Sequence, residues 1–265
     1  MTGRLAVLGS PIAHSRSPLL HDAAARVLGL DRRYERIEVR EDGLRAFLGG
    51  LGADWVGLSL TMPLKRAVLP LVGGHDPLVA RLGLANTVVL GERPGLFNTD
   101  VGGVEAVLAD LVGARRAVVL GAGATAASAL EALARLGVEH RTVAARRPAA
   151  AAGLGDLATE VVELSAAPLA DADVVVSTLP GGADAVLDVP ARVPGTPLLD
   201  VAYDPWPSAL GAAWAAAGGT LRHGLEMLVE QAVLQVRLFT GGTLAEPIDR
   251  EPEVRAVMRD AVGLG

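Results

Sequence analysis

The run Arg116-Ala117-Val118-Val119-Leu120-Gly121-Ala122-Gly123-Ala124-Thr125-Ala126 constrains the fold more than any other segment. A continuous apolar stretch that stops at a glycine turn and continues as a helical pattern to Leu136 reads as strand, turn, helix. A second apolar run, His140–Ala144, follows on time. Apolar character that is continuous rather than alternating implies a parallel strand covered on both faces. Gly121 permits the tight turn, Gly123 lets a ligand approach the backbone, and Ala126 lets helix pack closely on strand. The helix start, with Ala122, Ala124 and Thr125 around it, offers unpaired N–H groups and the positive end of a dipole to phosphates. The segment therefore predicts a dinucleotide site.

The end of the second strand narrows the ligand. A site for an unphosphorylated ribose carries an acid there, whereas this strand ends Val143-Ala144-Ala145-Arg146-Arg147, and Glu139 lies at its other end. Arg146 and Arg147 suit a 2′-phosphate held in bidentate fashion, so NADP is expected over NAD. A solvated surface pair is the plainer alternative.

Around this unit, short Val- and Leu-rich runs alternate with longer helical patterns, which predicts an α/β chain. Before Asp100 the reading is strand Leu5–Leu8, helix from Pro18, strand Tyr34–Val39, helix from Glu41, strand Trp55–Leu60 and helix from Pro63. Ser17 is placed as a capping hydroxyl before Pro18. Two antiparallel strands, Asn86–Leu90 and Gly95–Phe97, are expected to turn through Gly91-Glu92-Arg93-Pro94. After His140–Ala144 come strands Val161–Glu163, Val174–Ser177 and Leu198–Val201, then helices Gly224–Phe239 and Glu251–Val262, a pair expected to return to the first domain. The expected domains are 1–100 with 224–265, and 101–223.

Composition removes several classes of function. With no cysteine among 265 residues, disulfides, thiolate metal sites and cysteine nucleophiles are absent. A net charge of −6 without a basic stripe argues against nucleic acid. No stretch is long and uncharged enough to span a bilayer, and a cytoplasmic protein is expected. The five histidines lack metal-ligand spacing, so no metal is expected, and His14 and His21 are expected to make local hydrogen bonds.

Three polar segments fall at element ends where apolar patterning does not require them: Gly9–Pro18, Ser59–Lys65, and Asn86-Thr87 with Asn98-Thr99-Asp100. Hydroxyls, amides, one lysine and one aspartate suit a small, hydroxylated, anionic ligand. Local roles compete. Ser17 and Thr61 suit helix caps, Lys65 a solvated first-turn position, Asn86 and Asn98 turns, and Asp100 the cap of a helix beginning near Gly102.

Together these segments resemble the shikimate dehydrogenase family. The marks are Pro11-Ile12-Ala13-His14-Ser15-Arg16-Ser17-Pro18, Thr61-Met62-Pro63-Leu64-Lys65, Ala85-Asn86-Thr87 and Asn98-Thr99-Asp100-Val101-Gly102-Gly103. The glycine turn, Asp200-Val201-Ala202-Tyr203-Asp204-Pro205 and Gly224-Leu225-Glu226-Met227-Leu228-Val229-Glu230-Gln231-Ala232 complete them in family order. The resemblance implies two domains. One is an N-terminal α/β substrate domain with a mixed sheet; the other is a Rossmann-type, doubly wound parallel-sheet NADP domain. It also implies NADPH-dependent, reversible reduction of 3-dehydroshikimate to shikimate, with small molecules as partners and a monomer or homodimer as the assembly. Residues like Ser15 and Ser17 would hold the substrate carboxylate, and Asn86, Asp100 and Gln231 the ring hydroxyls. Thr61 and Tyr203 would line the pocket, Gly224 would join the cofactor set, and Lys65 with Asp100 would form the catalytic pair.

The chain departs from the family at a few positions. Many members carry Asn where this chain has Ser59, Asn-Arg-Thr where it has Ala145-Arg146-Arg147, and Gly where it has Glu226. Two readings compete: a quinate/shikimate dehydrogenase using NAD, and a non-catalytic dinucleotide-binding paralogue. The two serines and the missing acid oppose the first. Retention of Lys65 and Asp100 opposes the second.

Overall fold

β1 (Gly3–Gly9) leads through α1 (Ser17–Leu28) to β2 (Arg32–Glu38), and α2 (Glu41–Gly49) leads on to β3 (Trp55–Leu60). Both neighbours of β1 run parallel to it. Then come α3 (Leu64–Ala67), α4 (Pro77–Leu82), β4 (Thr87–Val89) and β5 (Gly95–Phe97). The last two strands pair antiparallel, giving a mixed sheet in the order β2-β1-β3-β4-β5. The computed structural model describes residues 3–92, 94–181 and 187–265, so Arg93 of the expected turn lies outside the described residues.

Alternation along β1 explains how this sheet is covered. Ala6 and Leu8 pack with Leu44, Leu58, Leu60, Leu64, Val79, Val88 and Leu96. Leu5 and Val7, on the opposite face, pack with Ile12, Tyr34 and Phe239. The helix expected from Pro63 is a single turn, because Pro70 disfavours helical backbone at Leu69 and supplies no N–H.

The rest of the chain runs through α5 (Asp100–Val107), β6 (Arg116–Leu120), α6 (Ala124–Arg135), β7 (His140–Ala145), β8 (Glu160–Glu163) and β9 (Val174–Ser177). β10 (Pro197–Asp200), α7 (Ala209–Ala216) and β11 (Thr220–His223) follow. These six strands form one parallel sheet ordered β11-β10-β9-β6-β7-β8. The chain winds outward from β6 in one direction and from β9 in the other, so the order reverses between those two strands. In open α/β sheets, ligands bind beyond the strand C-termini at such a reversal.

α8 (Gly224–Phe239) and α9 (Glu251–Ala261) end the chain. Two units result: Met1–Thr99 with Leu228–Gly265, and Asp100–Met227. In the first, Val229, Ala232, Val233 and Val236 of α8 meet Leu20 and Ala24 of α1 and Val254 and Met258 of α9. Arg237 grips Glu251 through two 2.7 Å bonds, which ties α8 to the start of α9. Among the described residues, no helix is long and apolar enough to cross a membrane, and no group of three or more His, Asp or Glu side chains could hold a metal ion.

Candidate active site

In the first unit, the loops after β1 and β3 are stitched together. Thr61 N–H donates to the Leu8 carbonyl at 2.9 Å and Ser10 N–H to the Met62 carbonyl at 3.0 Å. Arg36 of β2 donates to the Ser15 carbonyl at 2.6 Å and holds the first loop against the sheet. Ser15 and Ser17 are both buried.

Ser17 does not cap α1. Arg16 occupies the cap position without a side-chain bond, and Ser17 and Pro18 form the first helical positions. The Ser15 hydroxyl takes the capping role instead, accepting from Ser17 N–H at 3.3 Å. Thr61 caps nothing either, since α3 has no side-chain cap. Lys65 sits half-buried in the one-turn α3, where its carbonyl accepts from Ala85 N–H at 2.8 Å. That bond anchors the lysine's backbone beside Asn86.

Asn86, at the start of β4, is 2 % exposed and oriented by its neighbours. Its Oδ1 accepts from Thr87 Oγ1 and Thr99 N–H, both at 2.8 Å. Its Nδ2 donates to Thr99 Oγ1 at 2.9 Å and Gln231 Oε1 at 3.3 Å. Gln231 in turn donates to the Leu228 carbonyl at 2.8 Å, one helical turn back. Ser15, Ser17, Asn86 and Gln231 thus lie in one unit, among buried donors and acceptors. Asp100, assigned by contacts to the second unit, is buried as the first residue of α5, two positions earlier than the sequence placed that helix start. A carboxylate is favoured there by the helix dipole.

Sequence reasoning did not nominate Tyr34 or Gln235, and it misjudged His21. The His21 Nε2 meets Gln235 Oε1 at 3.2 Å, a contact across 214 residues rather than a local one. The His21 ring stacks on Tyr34 with centroids 4.1 Å apart. Burial pushes the His21 imidazole down to about 3 and the Tyr34 phenol up, so both are neutral across the physiological range. The one available signal was helical spacing: Gln235 is one turn beyond Gln231, on the same face of α8.

In the second unit, the glycine turn stands at the C-terminal end of β6. Gly121 has φ +107°, and a Cβ there would come 2.5 Å from the Thr178 hydroxyl, which follows β9. The turn is therefore at the strand-order reversal. Thr178 Oγ1 donates to the Leu120 carbonyl at 2.8 Å, and Gly121 N–H to the Ala144 carbonyl at 2.9 Å. Gly123 occupies the cap position of α6 without a side-chain cap, and a Cβ on it would meet nothing within 4 Å. Open space over uncapped helix N–H groups suits a pyrophosphate. Ala126 is fully buried beneath it, whereas Ala122, Ala124 and Thr125 are half-buried.

At the end of β7, Arg146 and Arg147 are exposed, and neither guanidinium has a hydrogen-bond or ion-pair partner among the described residues. Glu139, at the other end of β7, is spent on Arg115 at 2.7 Å. The residues present therefore fit a 2′-phosphorylated dinucleotide: glycine backbone, helix start and two unengaged arginines, with no acid at the end of β7 itself. Of the remaining residues, Gly224 is required by space, because a Cβ there would collide with the Val201 carbonyl. Tyr203 is half-exposed. Asp200, just before it, accepts from the Ser208 hydroxyl and from Ala202 N–H at 3.3 Å, which shapes the loop.

Comparison with known proteins matches residues 7–88 to the shikimate dehydrogenase substrate binding domain, and residues 224–244 to the shikimate 5'-dehydrogenase C-terminal domain. A shikimate dehydrogenase (NADP(+)) of Sphingopyxis alaskensis is 38 % identical, over 95 % of both chains. The crystal structure of Mycobacterium tuberculosis shikimate dehydrogenase aligns with TM-score 0.80 and 40 % identity, covering 98 % of this chain and 99 % of that one. The Thermus thermophilus shikimate 5-dehydrogenase, solved with NADP(H) and shikimate, aligns with TM-score 0.84 and 31 % identity, covering 98 % and 99 %.

Proposed function

The chain belongs to the shikimate dehydrogenase family, and we propose that it catalyses the reversible, NADPH-dependent reduction of 3-dehydroshikimate to shikimate. The observation that carries this reading is the buried hydroxyl and amide set of Ser15, Ser17, Asn86 and Gln231, in a chain that also carries the Gly121 turn and two unengaged arginines. NADPH, when bound, supplies the hydride.

In this reading, the Ser15 and Ser17 hydroxyls donate to the substrate carboxylate. Asn86, Asp100 and Gln231 hold the ring hydroxyls, while Thr61 and Tyr203 line the pocket. Hydride arrival puts negative charge on the carbonyl oxygen, and the Lys65 ammonium stabilises that charge and delivers a proton to it. Asp100 completes the pair as the carboxylate that favours the charged lysine. Gly121 to Ala126 and Gly224 form the cofactor cradle, and Arg146 with Arg147 reads the 2′-phosphate. The enzyme is placed in the cytoplasm as a monomer or homodimer, two assemblies that sedimentation distinguishes.

The test is an assay of purified protein with 3-dehydroshikimate, comparing NADPH with NADH oxidation, and then shikimate with quinate in reverse. Turnover strongest with NADPH and shikimate supports the reading. Preference for quinate with NAD replaces it.

A further inference from the structure

We propose that Gln235 is a positioning residue for the substrate site, orienting the Asn86 amide through Thr87. The inference rests on the function proposed above. Gln235 is 1 % exposed, on a helix that packs its apolar side through Val229, Ala232, Val233 and Val236. A buried amide is costly unless both of its ends are bonded, and here both are. Its Oε1 accepts from Ser59 at 2.8 Å and from His21 at 3.2 Å. Its Nε2 donates to Thr87 Oγ1 at 3.0 Å and to the Asn86 carbonyl at 3.4 Å. Fully engaged, Gln235 has nothing left for a ligand, so it acts through its neighbours.

Two backbone groups fix the direction of every bond in this network. The Asn86 carbonyl accepts only, so the Gln235 Nε2 must face it and Oε1 must face Ser59. Ser59 therefore spends its one proton on Gln235. Tyr34, 2.6 Å from Ser59 Oγ, must donate to it. On the other side, Thr87 accepts from Gln235 and sends its proton to Asn86 Oδ1. Thr99 N–H, which donates only, meets the same oxygen. Asn86 is left presenting Nδ2 toward Thr99 and Gln231. One bonded path therefore runs from Tyr34 and Ser59 through Gln235 to Thr87 and the Asn86 amide.

Removing the Gln235 amide frees the Thr87 hydroxyl to rotate and takes away the acceptor that commits Ser59. The Asn86 amide then loses the ordered Thr87 hydroxyl that fixes it beside Thr99 N–H, whereas the cofactor residues are untouched. The experiment measures steady-state kinetics of the full-length enzyme with shikimate and NADP⁺ for Gln235→Leu, Thr87→Val and Thr87→Ser. A buried polar group left unsatisfied is typically worth about a tenfold change or more in an equilibrium constant. Gln235→Leu and Thr87→Val are expected to raise the shikimate KM roughly tenfold or more, with kcat and the NADP⁺ KM held within about threefold. Thr87→Ser, which keeps the hydroxyl, restores the shikimate KM. An unchanged shikimate KM in an active Gln235→Leu enzyme overturns the role. So does a parallel rise in both KM values, or a Thr87→Ser enzyme as impaired as Thr87→Val. If Gln235→Leu does not fold, the Thr87 pair decides. A wild type without shikimate turnover instead removes the proposed function on which the role rests.

Discussion

His21 makes the protein sensitive to acid in a way that can be calculated. Its imidazole is buried, stacked on Tyr34 and bonded to Gln235, and burial holds its pKa at about 3 against an ordinary value of 6.5. Gln235 Oε1 only accepts, so the neutral ring donates from Nε2. Below pH 6.5 the unfolded chain binds a proton at this position that the folded chain refuses. Stability from this group is therefore complete above pH 6.5 and falls as pH drops toward 3. At 1.36 kcal/mol per pH unit, moving from pH 7 to pH 4.5 removes roughly 2.5 kcal/mol.

The assay is urea unfolding at both pH values and matched ionic strength, for the wild type and His21→Leu. Leucine keeps apolar contact with Tyr34 and leaves Gln235 Oε1 bonded to Ser59. Half-buried Asp22 and Glu105, whose carboxyls are pushed up, act in the opposite sense, and His223, pushed down by burial, acts in the same sense. All three cancel in the difference between the two proteins. The wild type should lose roughly 2.5 kcal/mol more than the variant. Equal acid losses would refute the reasoning, as would an NMR titration of folded His21 near 6.5.

Three further outcomes follow from the site. Lys65→Ala should lower kcat by roughly 10²–10⁴ with little change in the NADP⁺ dissociation constant; unchanged turnover would remove the lysine from the chemistry. Arg146→Ala with Arg147→Ala should raise the NADP⁺ KM about tenfold or more while leaving the NAD⁺ KM nearly constant, because only the 2′-phosphate distinguishes the two. Gly121→Ala must adopt φ +107° and press its methyl on the Thr178 hydroxyl. It should lose about 1–3 kcal/mol of stability, read by urea unfolding, and bind cofactor more weakly in calorimetry.

Elements whose pattern has one dominant cause were legible in the sequence. The β6–turn–α6 segment was, because continuous apolar runs and glycine spacing both report on backbone. α7 and β11 were not: Ala209–Ala216 is alanine-rich and shows little amphipathic contrast. α4 was also missed, although its signals were present. Asp76 caps it by accepting from Leu78 N–H at 2.9 Å, Pro77 opens it, and Gly83 ends it at φ +62°. At the site, hydroxyls and amides at element ends pointed to Ser15, Ser17 and Asn86, whereas Gln231 came only with the family resemblance. Gln235 escaped because its contacts join distant parts of the chain. Ser59 and Gln235 are 176 positions apart and Asn86 and Gln235 are 149 apart, and no local period encodes such a meeting.

The Ser59–Gln235 bond has an evolutionary corollary. A short hydroxyl on β3 and a long amide on α8 share one enclosed space, so a bulkier polar residue at 59 would collide with the glutamine, and a smaller one at 235 would strand the serine. Natural drift should then carry the two positions as a correlated pair within this lineage. Anyone transplanting a different substrate preference onto this scaffold would need to exchange both residues at once, since each intermediate would hold a half-built hydrogen-bond network.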